Sequence, residues 1–598
     1  MRIAILVKVV ADRETAEPAP DGTIARSSNS AFINPYDQRA VRVGLDLRRP
    51  GETVTVVSMG APSSVEALAP YRSAGIDRIV LLSDERLRGS DLIGTARALT
   101  ETLRFVGSDL ILAGERATDS ETGALPAAVA ARLEIPSVTR TRGIVRVGDS
   151  DDLEIETEFE DGSARYRLRA PALVSVGEKI AKPLKVARVP EEAAAAVERV
   201  DLEGVGVGAN DVGRSGARSR VVTWAPIGRS RIPRLFDRTR LAYGLEAIQI
   251  ARGASVALAA TIPTVSGRSP DGGPGLLALV TDDVGGIDGA ALSAISGLAQ
   301  MLPTTPIDAL WVGPPAEINA ARRLAEVGVR TIYGATPPEE SALSEVASRA
   351  FERASELAGP PQAVVLAQST FGLEVAGRFA GRSGRGLVTN VESVEAMPGR
   401  PLRWTKASWG GRFLAVVETI EAPSVVTVRP RYPLGEASSV DPKGLRWVEL
   451  TLDPAPAPPR RISRTRTRPA EFGDLDRASW IVCVGTGIGG PEPIRALARA
   501  IRPLGGAIAA TRRVVDAGWA PADLQVGLTG RTPAPPLAVL VGVSGAPNQM
   551  IGWRRAGTVV AINPEPTAPV FRGVDIGLIA RHEEALPALL RSFGAASA

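Results

Sequence analysis

Short apolar runs alternate with amphipathic stretches along the first 135 residues of the chain. The runs Ile3–Val10 and Val54–Ser58 have the composition of buried strands, and Pro35–Leu47 between them carries apolar residues at helical spacing. Strands that alternate with helices of about 10–15 residues predict βαβ units and a parallel sheet, whose ligand sites lie beyond the carboxyl ends of the strands. Further strands are predicted at Ile79–Leu82 and Leu110–Ala113, and further helices at Ser64–Ser73, Asp91–Phe105 and Thr122–Leu133.

The same pattern recurs later in the chain. Residues 141–178 predict a meander of short strands. A second βαβ series opens at Leu276–Thr281 and closes with another meander over residues 400–430, and a third α/β unit runs from Trp480 onward. The first two series share the order and length of their elements, which indicates an internal duplication. We therefore predict an α/β protein with two related parallel-sheet domains and a C-terminal, doubly wound, Rossmann-like domain.

Composition suggests the boundaries between these domains. Residues 200–275 are rich in Gly, Ser, Arg and Pro and contain one helical patch near Ala242–Ile250, and Pro454–Pro459 is typical of a stiff, extended linker. The predicted division is a first domain at 1–235 that ends in an arm, a linker at 236–275, a second domain at 276–450, a Pro- and Arg-rich hinge at 451–470 and a third domain at 471–598.

Composition also excludes several classes of function. Apolar residues make up 44% and charged residues 23% of the 598 residues, as is usual for a globular protein, and aromatic residues make up only 4%, which argues against a stacking surface for single-stranded nucleic acid. One cysteine, Cys483, and one histidine, His582, provide no set for a disulfide, a Cys- or His-based metal site or a Ser–His triad. We expect neither catalytic residues nor a metal.

The net charge of +4 is small, so nucleic acid is not an expected partner. No run of about 18 apolar residues exists, so no membrane insertion is expected. The apolar N-terminus is interpreted as a buried first strand rather than a leader, and a cytoplasmic location is the expectation. We interpret a cluster of arginines after the proline-rich linker as a solvated segment: Arg460, Arg461, Arg464, Arg466 and Arg468.

The ends of the predicted strands in the third domain carry the candidate chemistry. Glycine, serine, threonine or arginine follows each apolar run. Backbone N–H groups and short hydroxyls at such turns can hold a phosphate or a flavin ring. The turns are Gly485-Thr486-Gly487, Thr511-Arg512, Leu528-Thr529-Gly530, Ser544-Gly545-Ala546 and Asn563.

The order and spacing of these turns resemble the FAD-binding domain of the electron transfer flavoprotein alpha subunit. The resemblance implies that Arg512 lies against the isoalloxazine ring, where a fixed cation raises the flavin potential. It implies that Thr529 bonds to the N5 edge of the ring and that the turn 544–546 holds the pyrophosphate. The whole implied FAD set is Arg512, Thr511, Leu528, Thr529, Gly530, Ser544, Gly545, Ala546, Gln549, Asn563, Asp575, Gly485 and Thr486.

The first domain resembles the beta subunit of the same family, on Asn34-Pro35-Tyr36-Asp37 and on the turn 119–123. The chain is therefore identified as a beta–alpha fusion. Family beta subunits hold AMP or a second FAD here, and the N–H groups of Thr122 and Gly123 can meet a phosphate at the start of a helix. The alternative is that Thr122 only caps that helix. The implied second-nucleotide set is Ser58, Gly114, Asp119, Thr122 and Gly123.

Several positions depart from the family pattern. Gln549 stands where a flavin-contacting histidine is common, Leu528 replaces a glutamine, and Thr486 replaces an arginine near the flavin. Because a neutral Gln549 stabilises a flavin anion less than a protonated histidine does, we expect redox tuning unlike that of typical members. Ala124 replaces a glutamine, which weakens the expectation of a second nucleotide, and the partner-docking stretch at 175–184 is shortened.

Several functions remain open. The resemblance implies a FAD-containing electron carrier without substrate chemistry of its own. It would accept electrons from flavin-dependent dehydrogenases and pass them to a membrane-associated or soluble oxidoreductase or quinone reductase, with its FAD domain swivelling on Pro454–Pro459. The alternatives are an electron-bifurcating flavoprotein that oxidises NADH, and a nucleotide-binding scaffold or sensor without redox function. Residues 485–490 also fit the G-x-G-x-x-G turn of an NAD(P) dehydrogenase, but no catalytic His, Tyr–Lys or Cys set accompanies it.

Overall fold

The computed structural model describes the chain except for residues 11–16, 19–23, 26–31, 161, 187–196, 227–230, 261–274, 315–317, 338–341, 398–399, 410–412, 430–443, 454–457, 467–470, 474, 476–477, 522–523, 528–530, 532, 534 and 596–598. Three residues of the predicted flavin site, Leu528, Thr529 and Gly530, lie outside the described residues. So do residues 454–457 of the predicted hinge.

The first domain surrounds a ten-stranded sheet. Its central strands are buried along most of their length, as expected for a parallel sheet covered on both faces. The elements of this part of the chain are β1 (Arg2–Leu6), β2 (Val9–Val10), β3 (Glu17–Pro18), β4 (Ile24–Ala25), β5 (Phe32–Ile33), α1 (Pro35–Leu47), β6 (Thr53–Met59), α2 (Val65–Leu68), β7 (Arg78–Leu82), α3 (Leu92–Val106), β8 (Leu110–Gly114), α4 (Leu125–Leu133), β9 (Ser137–Arg146), β10 (Asp152–Phe159), β11 (Gly162–Arg169), β12 (Ala172–Val176), β13 (Glu198–Val200) and α5 (Gly213–Gly216).

The middle of the chain builds a second ten-stranded sheet, and the last part builds a six-stranded one. The middle contains β14 (Ser219–Pro226), β15 (Arg234–Phe236), α6 (Leu241–Ala260), β16 (Leu276–Leu279), α7 (Gly289–Met301), β17 (Ile307–Val312), α8 (Ile318–Glu326), β18 (Val329–Ala335), α9 (Leu343–Ala358), β19 (Ala363–Ala367), α10 (Thr370–Ser383), β20 (Leu387–Glu395), β21 (Arg403–Ser408), β22 (Phe413–Thr419), β23 (Ser424–Val428), β24 (Arg446–Glu449) and β25 (Arg460–Arg466). The last part contains β26 (Trp480–Val484), α11 (Pro491–Ile501), β27 (Gly506–Ala510), α12 (Arg512–Asp516), β28 (Leu537–Val541), α13 (Pro547–Met550), β29 (Thr558–Asn563), β30 (Ile576–Ile579) and α14 (His582–Ala595).

The two ten-stranded sheets have the same topology. The first has the order β13-β7-β6-β1-β8-β12-β9-β10-β11-β25, and the second, taken from the matching edge, has the order β24-β18-β17-β16-β19-β23-β20-β21-β22-β14. In each, the first seven strands are parallel and every later strand is antiparallel to its neighbour. The third sheet is parallel throughout, in the order β15-β30-β29-β28-β26-β27. The predicted fold class, duplication and meanders are confirmed.

Each ten-stranded sheet ends in a strand donated by the other half of the duplication. β14 follows the first domain but pairs with β22, and β25 follows the second domain but pairs with β11. Arg464 on β25 donates hydrogen bonds from Nε and Nη2 to the two carboxylate oxygens of Asp283, at 2.7 and 3.2 Å. Its guanidinium carbon lies 4.5 Å from the centre of the Phe159 ring. The described part of the arginine cluster, residues 460–466, is therefore a strand of the first sheet with Arg464 buried, and not a solvated linker; Arg468 lies outside the described residues. The predicted hinge at 451–470 is corrected as well, because residues 460–466 of it form a strand of the first sheet.

The linker predicted at 236–275 also needs correction. β15 runs parallel to β30 in the third sheet, and α6 packs against β30 and α14. Ile248 of α6 is buried in the core of the third domain. Gly244 lies so close to Leu578 that a Cβ atom would come within 2.4 Å of its side chain. Residues 234–253 thus pack with the third domain, although they precede the second domain in the sequence.

Capping side chains and prolines set the helix boundaries of the first domain. The Asp91 side chain accepts a hydrogen bond from the Gly94 N–H at 2.9 Å and opens α3, which Gly107 closes with a φ of +68°. The prediction for this helix is accurate to one residue at each end. The helix predicted at Ser64–Ser73 is shorter, with an α-helical turn flanked by 3-10 turns. The second 3-10 turn begins at Ala69, next to Pro70, which has no N–H to donate to a continuing α-helix.

Helices α4 and α10 join the two duplicated halves through small residues. A Cβ atom on Gly377 would lie 2.5 Å from the carbonyl oxygen of Ala124, and one on Gly381 would lie 2.5 Å from the carbonyl oxygen of Ala128. Real Cβ atoms do not approach so closely, so the two helices touch backbone to backbone at these positions. The distance between the halves is fixed by this contact.

Replacement of Gly381 tests the contact. Gly381→Ala should lower the free energy of unfolding by about 1–3 kcal/mol, because the added methyl group pushes the two helices apart. Urea unfolding followed by circular dichroism measures the change. Gly253→Ala on α6 is the matched control, since a Cβ there meets no atom within 4 Å. The control should be neutral or stabilising by about 0.5–1 kcal/mol, and equal losses in both variants would contradict the contact.

Candidate functional site

The carboxyl edge of the third sheet brings together most of the predicted flavin residues. β27, β26, β28 and β29 are parallel neighbours, so the residues that follow them lie side by side. Four of these residues are exposed: Thr486, Arg512, Ser544 and Ala546. Four others lie on the same edge and are buried or half-buried: Gly485, Thr511, Gly545 and Asn563.

Glycines allow the turns after β26 and β28 to touch. A Cβ atom on Gly485 would lie 2.1 Å from the carbonyl oxygen of Gly542, and Gly542 itself has a φ of +61°. Gly489 and Gly490 also have positive φ angles, but a Cβ atom on either would meet open space. The G-x-G-x-x-G turn is therefore closely packed at its first glycine, whereas Gly489, shortly before α11 begins, is exposed.

The turn 544–546 presents unused backbone donors. Within the described residues, the N–H groups of Ser544, Gly545 and Ala546 donate to no acceptor. Gly545 has a φ of +85°, and a Cβ atom there would lie 2.2 Å from the backbone of Val570, so no other residue fits. The side-chain amide of Asn563 steadies the turn by donating to the Val543 carbonyl at 3.0 Å. Successive unpaired N–H groups attract anions, so these residues fit the pyrophosphate of FAD.

Two side chains predicted to tune the flavin differ in placement. Arg512 is exposed, and its Nε donates to Asp516 at 3.3 Å across one turn of α12. Gln549 instead turns inward, where its Nε2 donates to Sγ of Cys483 at 3.4 Å and its Oε1 is buried without a hydrogen-bond partner in the described part of the chain. Burial raises the pKa of the Cys483 thiol, so the thiol stays neutral. Arg512 is thus available at the edge, because an exposed pair of this kind is weak, whereas Gln549 contacts the core.

The placement of Asp575 corrects its prediction. Asp575 precedes β30 and so lies at the amino edge of the sheet, away from the other flavin residues. There it accepts a hydrogen bond from the Val559 N–H at 2.7 Å and pairs with Arg231. The exposed residue that stands just beyond the carboxyl end of β30 is Arg581. Its signal in the sequence is the same as that of Arg512, an arginine shortly after an apolar run.

A cleft of about 1640 Å³ lies between the first and second domains. One predicted residue does not reach it: Ser58 is buried, and its hydroxyl has no hydrogen-bond partner among the described residues. Its neighbours along the strand, Val57 and Met59, line the cleft, because successive residues of a strand face opposite sides. The other four predicted second-nucleotide residues line the cleft: Gly114, Asp119, Thr122 and Gly123.

The turn that leads into α4 is organised by a buried carboxylate. Asp119 is 2% exposed and pairs with the ammonium of Lys8 at 2.7 Å. The N-cap position of α4 is occupied by Ala124, so the alternative that Thr122 only caps the helix is wrong. In the part of the chain that is described, the N–H groups of Thr122 and Gly123 have no acceptor, and both residues line the cleft. These residues fit a phosphate group.

Ala124 has a structural role that its sequence position does not reveal. It is fully buried against Gly377 of α10 and does not line the cleft. Ala124 therefore forms part of a helix contact and not part of the wall of the cleft.

Asp37 ties α1 to the strand ends beneath the cleft. Its carboxylate accepts hydrogen bonds from the Lys8 N–H at 2.8 Å and the Gly114 N–H at 3.1 Å. A Cβ atom on Gly114 would lie 2.3 Å from Asp37 Oδ1, so the close approach requires glycine. Burial raises the pKa of Asp37 to about 7. The Asn-Pro-Tyr-Asp motif thus positions the floor of the cleft.

Family comparisons agree with this architecture. The electron transfer flavoprotein domain matches residues 21–204 and again residues 276–436, one match for each duplicated half. The electron transfer flavoprotein FAD-binding domain matches residues 474–554. The chain belongs to the electron transfer flavoprotein family. Its two halves and its third domain carry the family's two kinds of domain.

Individual relatives are similar to parts of the chain. The electron transfer flavoprotein subunit alpha of Thermoanaerobacterium thermosaccharolyticum is 30% identical over 289 residues, which are 48% of this chain and 86% of the relative. Protein FixB of Bradyrhizobium diazoefficiens is 29% identical over 306 residues, 50% of this chain and 82% of the relative. The electron transfer flavoprotein subunit beta of Mycobacterium bovis is 31% identical over 240 residues, 38% of this chain and 88% of the relative. The predicted beta–alpha fusion is confirmed.

Neither a membrane span nor a metal cluster is found in the described residues. None of the helices there combines the length and the apolarity that crossing a bilayer requires. No group of three or more His, Cys, Asp or Glu side chains is arranged there to hold a metal ion.

The buried carboxyl of Asp37 gives a pH-dependent prediction. Its pKa is about 7 in the folded protein against an ordinary 3.8, so folding tightens the hold on this proton. The resulting stability is present at low pH and is lost as the pH rises from about 4 to about 7. Asp37→Asn cannot ionise, so its melting temperature should fall less than that of the wild type between about pH 5 and pH 8.

Asp109→Asn is the control for this measurement. Arg2 lowers the pKa of Asp109, so this group is ionised across the whole range and its removal should leave the fall unchanged. If the melting temperature of Asp37→Asn falls as much as that of the wild type, the Asp37 carboxylate is ionised throughout this pH range.

Proposed function

We propose that this chain is an electron carrier that holds FAD on the carboxyl edge of its third sheet. The observation that carries the proposal is the run of unpaired N–H groups at Ser544–Ala546, which lies in the domain that matches the family's FAD-binding domain. FAD supplies reversible uptake of electrons when it is bound. The residues of the chain bind it, orient it and set its potential.

Each group at the edge has a separate task in this proposal. The N–H groups of the 544–546 turn hold the pyrophosphate, and Asn563 keeps that turn in place. The guanidinium of Arg512 stabilises negative charge on the ring. Thr529, which lies outside the described residues, remains the predicted partner of the N5 edge.

Substrate chemistry belongs to the partners of the chain. Flavin-dependent dehydrogenases supply electrons, and a membrane-associated or soluble oxidoreductase or a quinone reductase accepts them. The exposure of Thr486 and Arg512 suits exchange with more than one partner. Because the halves and the FAD domain share one chain, their ratio is fixed and their effective concentration is high.

Movement of the third domain between partners belongs to the proposal, with a revised hinge. β25 is fixed to the first sheet, so bending is expected after Arg466 and not at Pro454–Pro459. Residues 234–253 would move with the third domain, since they pack on it. An ion pair between Arg555 and Glu392, 7% and 9% exposed, joins the third domain to β20 of the second and would have to break.

The cleft between the halves holds a second nucleotide in this proposal. Its volume of about 1640 Å³ exceeds the roughly 300–1,000 Å³ of ordinary small-molecule sites. It therefore has room for AMP or for a second FAD. AMP would make the chain a simple carrier, and a second FAD that NADH reduces would make it electron-bifurcating. The size of the cleft is the observation that favours this second candidate function.

The visible spectrum of the purified protein, followed by identification of the nucleotides released on denaturation, tests the proposal. One FAD per chain, with or without AMP, supports the carrier. Two FAD molecules per chain, one of them bleached by NADH, support the bifurcating function. A colourless protein that takes up no added FAD contradicts both and leaves a nucleotide-binding scaffold.

Arg512→Met tests the assigned cation. Removal of a unit charge about 4 Å from the ring in water-like surroundings removes about 1 kcal/mol of stabilisation and should lower the one-electron flavin potential by about 40 mV. The FAD content should not change, because backbone groups hold the pyrophosphate. Potentiometric titration measures the shift. Arg495→Met removes another exposed arginine, one that pairs with Glu492 on α11, and should leave the potential unchanged. Equal flavin potentials in the two variants would contradict the proposal that Arg512 lies against the flavin ring.

A further inference from the structure

Lys406 brings a positive charge from the second domain to the cleft that the nucleotide turn of the first domain lines. It lies on β21, between Val391 of β20 and Ala415 of β22. It lines the cleft together with Trp409 of the same domain. The turn 119–123 lines the part of the cleft that the first domain contributes. Both duplicated halves thus contribute to the lining of one cleft.

The amine of Lys406 has no carboxylate at contact distance among the described residues. Its one hydrogen bond there is to Oγ1 of Thr389, at a long 3.4 Å. Lys8, the other lysine of the cleft, is by contrast paired with Asp119 at 2.7 Å. Burial lowers the pKa of Lys406 to about 8, and only the more distant Glu121 opposes this effect. Partial burial of an ammonium group without a counter-ion costs free energy, and an anionic ligand would supply the missing opposite charge.

Five of the six acidic groups that line the cleft are already engaged elsewhere, and the sixth, Glu85, is exposed. Two of the five accept hydrogen bonds from backbone N–H groups, and three are paired with cations. The unpaired N–H groups of Thr122 and Gly123 share the cleft with Lys406, and all of these donors attract anions. The engaged acids are Asp37, Asp91, Asp84 with Arg86, Asp119 with Lys8, and Glu115 with Arg116 and Arg140.

We infer that Lys406 contacts a phosphate of the nucleotide in this cleft, so that both halves of the duplication hold the same ligand. The inference rests on the second nucleotide of the proposed function. It adds that the ligand must carry a negatively charged phosphate to interact with Lys406. The ligand is a nucleoside phosphate, such as AMP or the diphosphate end of FAD. Adenosine, which lacks the phosphate, gains nothing from Lys406.

Calorimetric titration of the FAD-loaded chain, dialysed free of AMP, tests the inference with AMP and adenosine as probes. Lys406→Met should weaken AMP binding at least tenfold, and Lys406→Arg should weaken it far less. Adenosine should bind equally to all three proteins. Lys182→Met removes an exposed lysine outside the cleft and is the matched control, which should bind AMP as the wild type does.

The pH dependence gives an independent readout. AMP keeps both negative charges above about pH 7, so a change beyond that pH comes from the protein. Glu121 faces Lys406 from the turn before α4, Thr389 and Ala415 on the flanking strands are uncharged, and Lys8 is paired. The affinity of the wild type for AMP should fall as the pH rises past about 8, because Lys406 then loses its charge. Lys406→Arg should keep its affinity to higher pH.

Each failure has its own signature. Equal AMP affinities of Lys406→Met and the wild type overturn the inference and leave the second nucleotide intact. A wild-type cleft that binds neither AMP nor FAD refutes the second nucleotide itself. Without nucleotide, Lys406→Met should melt at or above the wild-type temperature, because it removes a half-buried charge. A lower melting temperature would show that Lys406 serves the fold, and this too overturns the inference.

Discussion

The reciprocal exchange of edge strands is the constraint on which the two duplicated halves depend. β14 completes the second sheet and β25 completes the first, so each half covers an edge that the other half would leave with unpaired N–H and C=O groups. The buried pair of Arg464 with Asp283 anchors one exchanged strand, and the backbone contact at Gly377 and Gly381 sets the spacing of the halves. The cleft exists because two complete sheets meet at this spacing without filling the volume between them.

The third domain depends on a different close approach. Glycines at 485, 542 and 545 bring the turns after β26 and β28 into contact and leave backbone N–H groups exposed at the sheet edge. A cofactor held mainly by backbone groups tolerates changes at side-chain positions. Under the proposed function, the identities of Thr486 and Gln549 would affect the charge near the flavin but not the turn that fits its pyrophosphate.

Local sequence patterns predict the elements well and their partners poorly. Because buried faces require apolar residues at regular spacing, the alternation of strands and helices and the duplication can be predicted from the sequence. Arg464 pairs with Asp283, which lies 181 residues earlier in the chain. Because no local pattern indicates such a distant partner, the sequence of β25 looks like that of a solvated linker. Helix α6 packs on a domain that begins about 200 residues later, for the same reason. The prediction for Asp575 is wrong because this residue precedes its strand and so lies at the amino edge of the sheet. The role of Ala124 cannot be predicted from the sequence because its contact, Gly377, lies on another helix.

Hydrogen–deuterium exchange measured with and without ligands tests the central claim most directly. The account predicts that FAD protects residues 485–490, 511–516 and 543–549 at the edge of the third sheet. It predicts that AMP protects a separate set, residues 114–126 of the first domain together with 403–409 of the second. Protection by FAD confined to the cleft, or protection by AMP that leaves residues 403–409 unchanged, would contradict it.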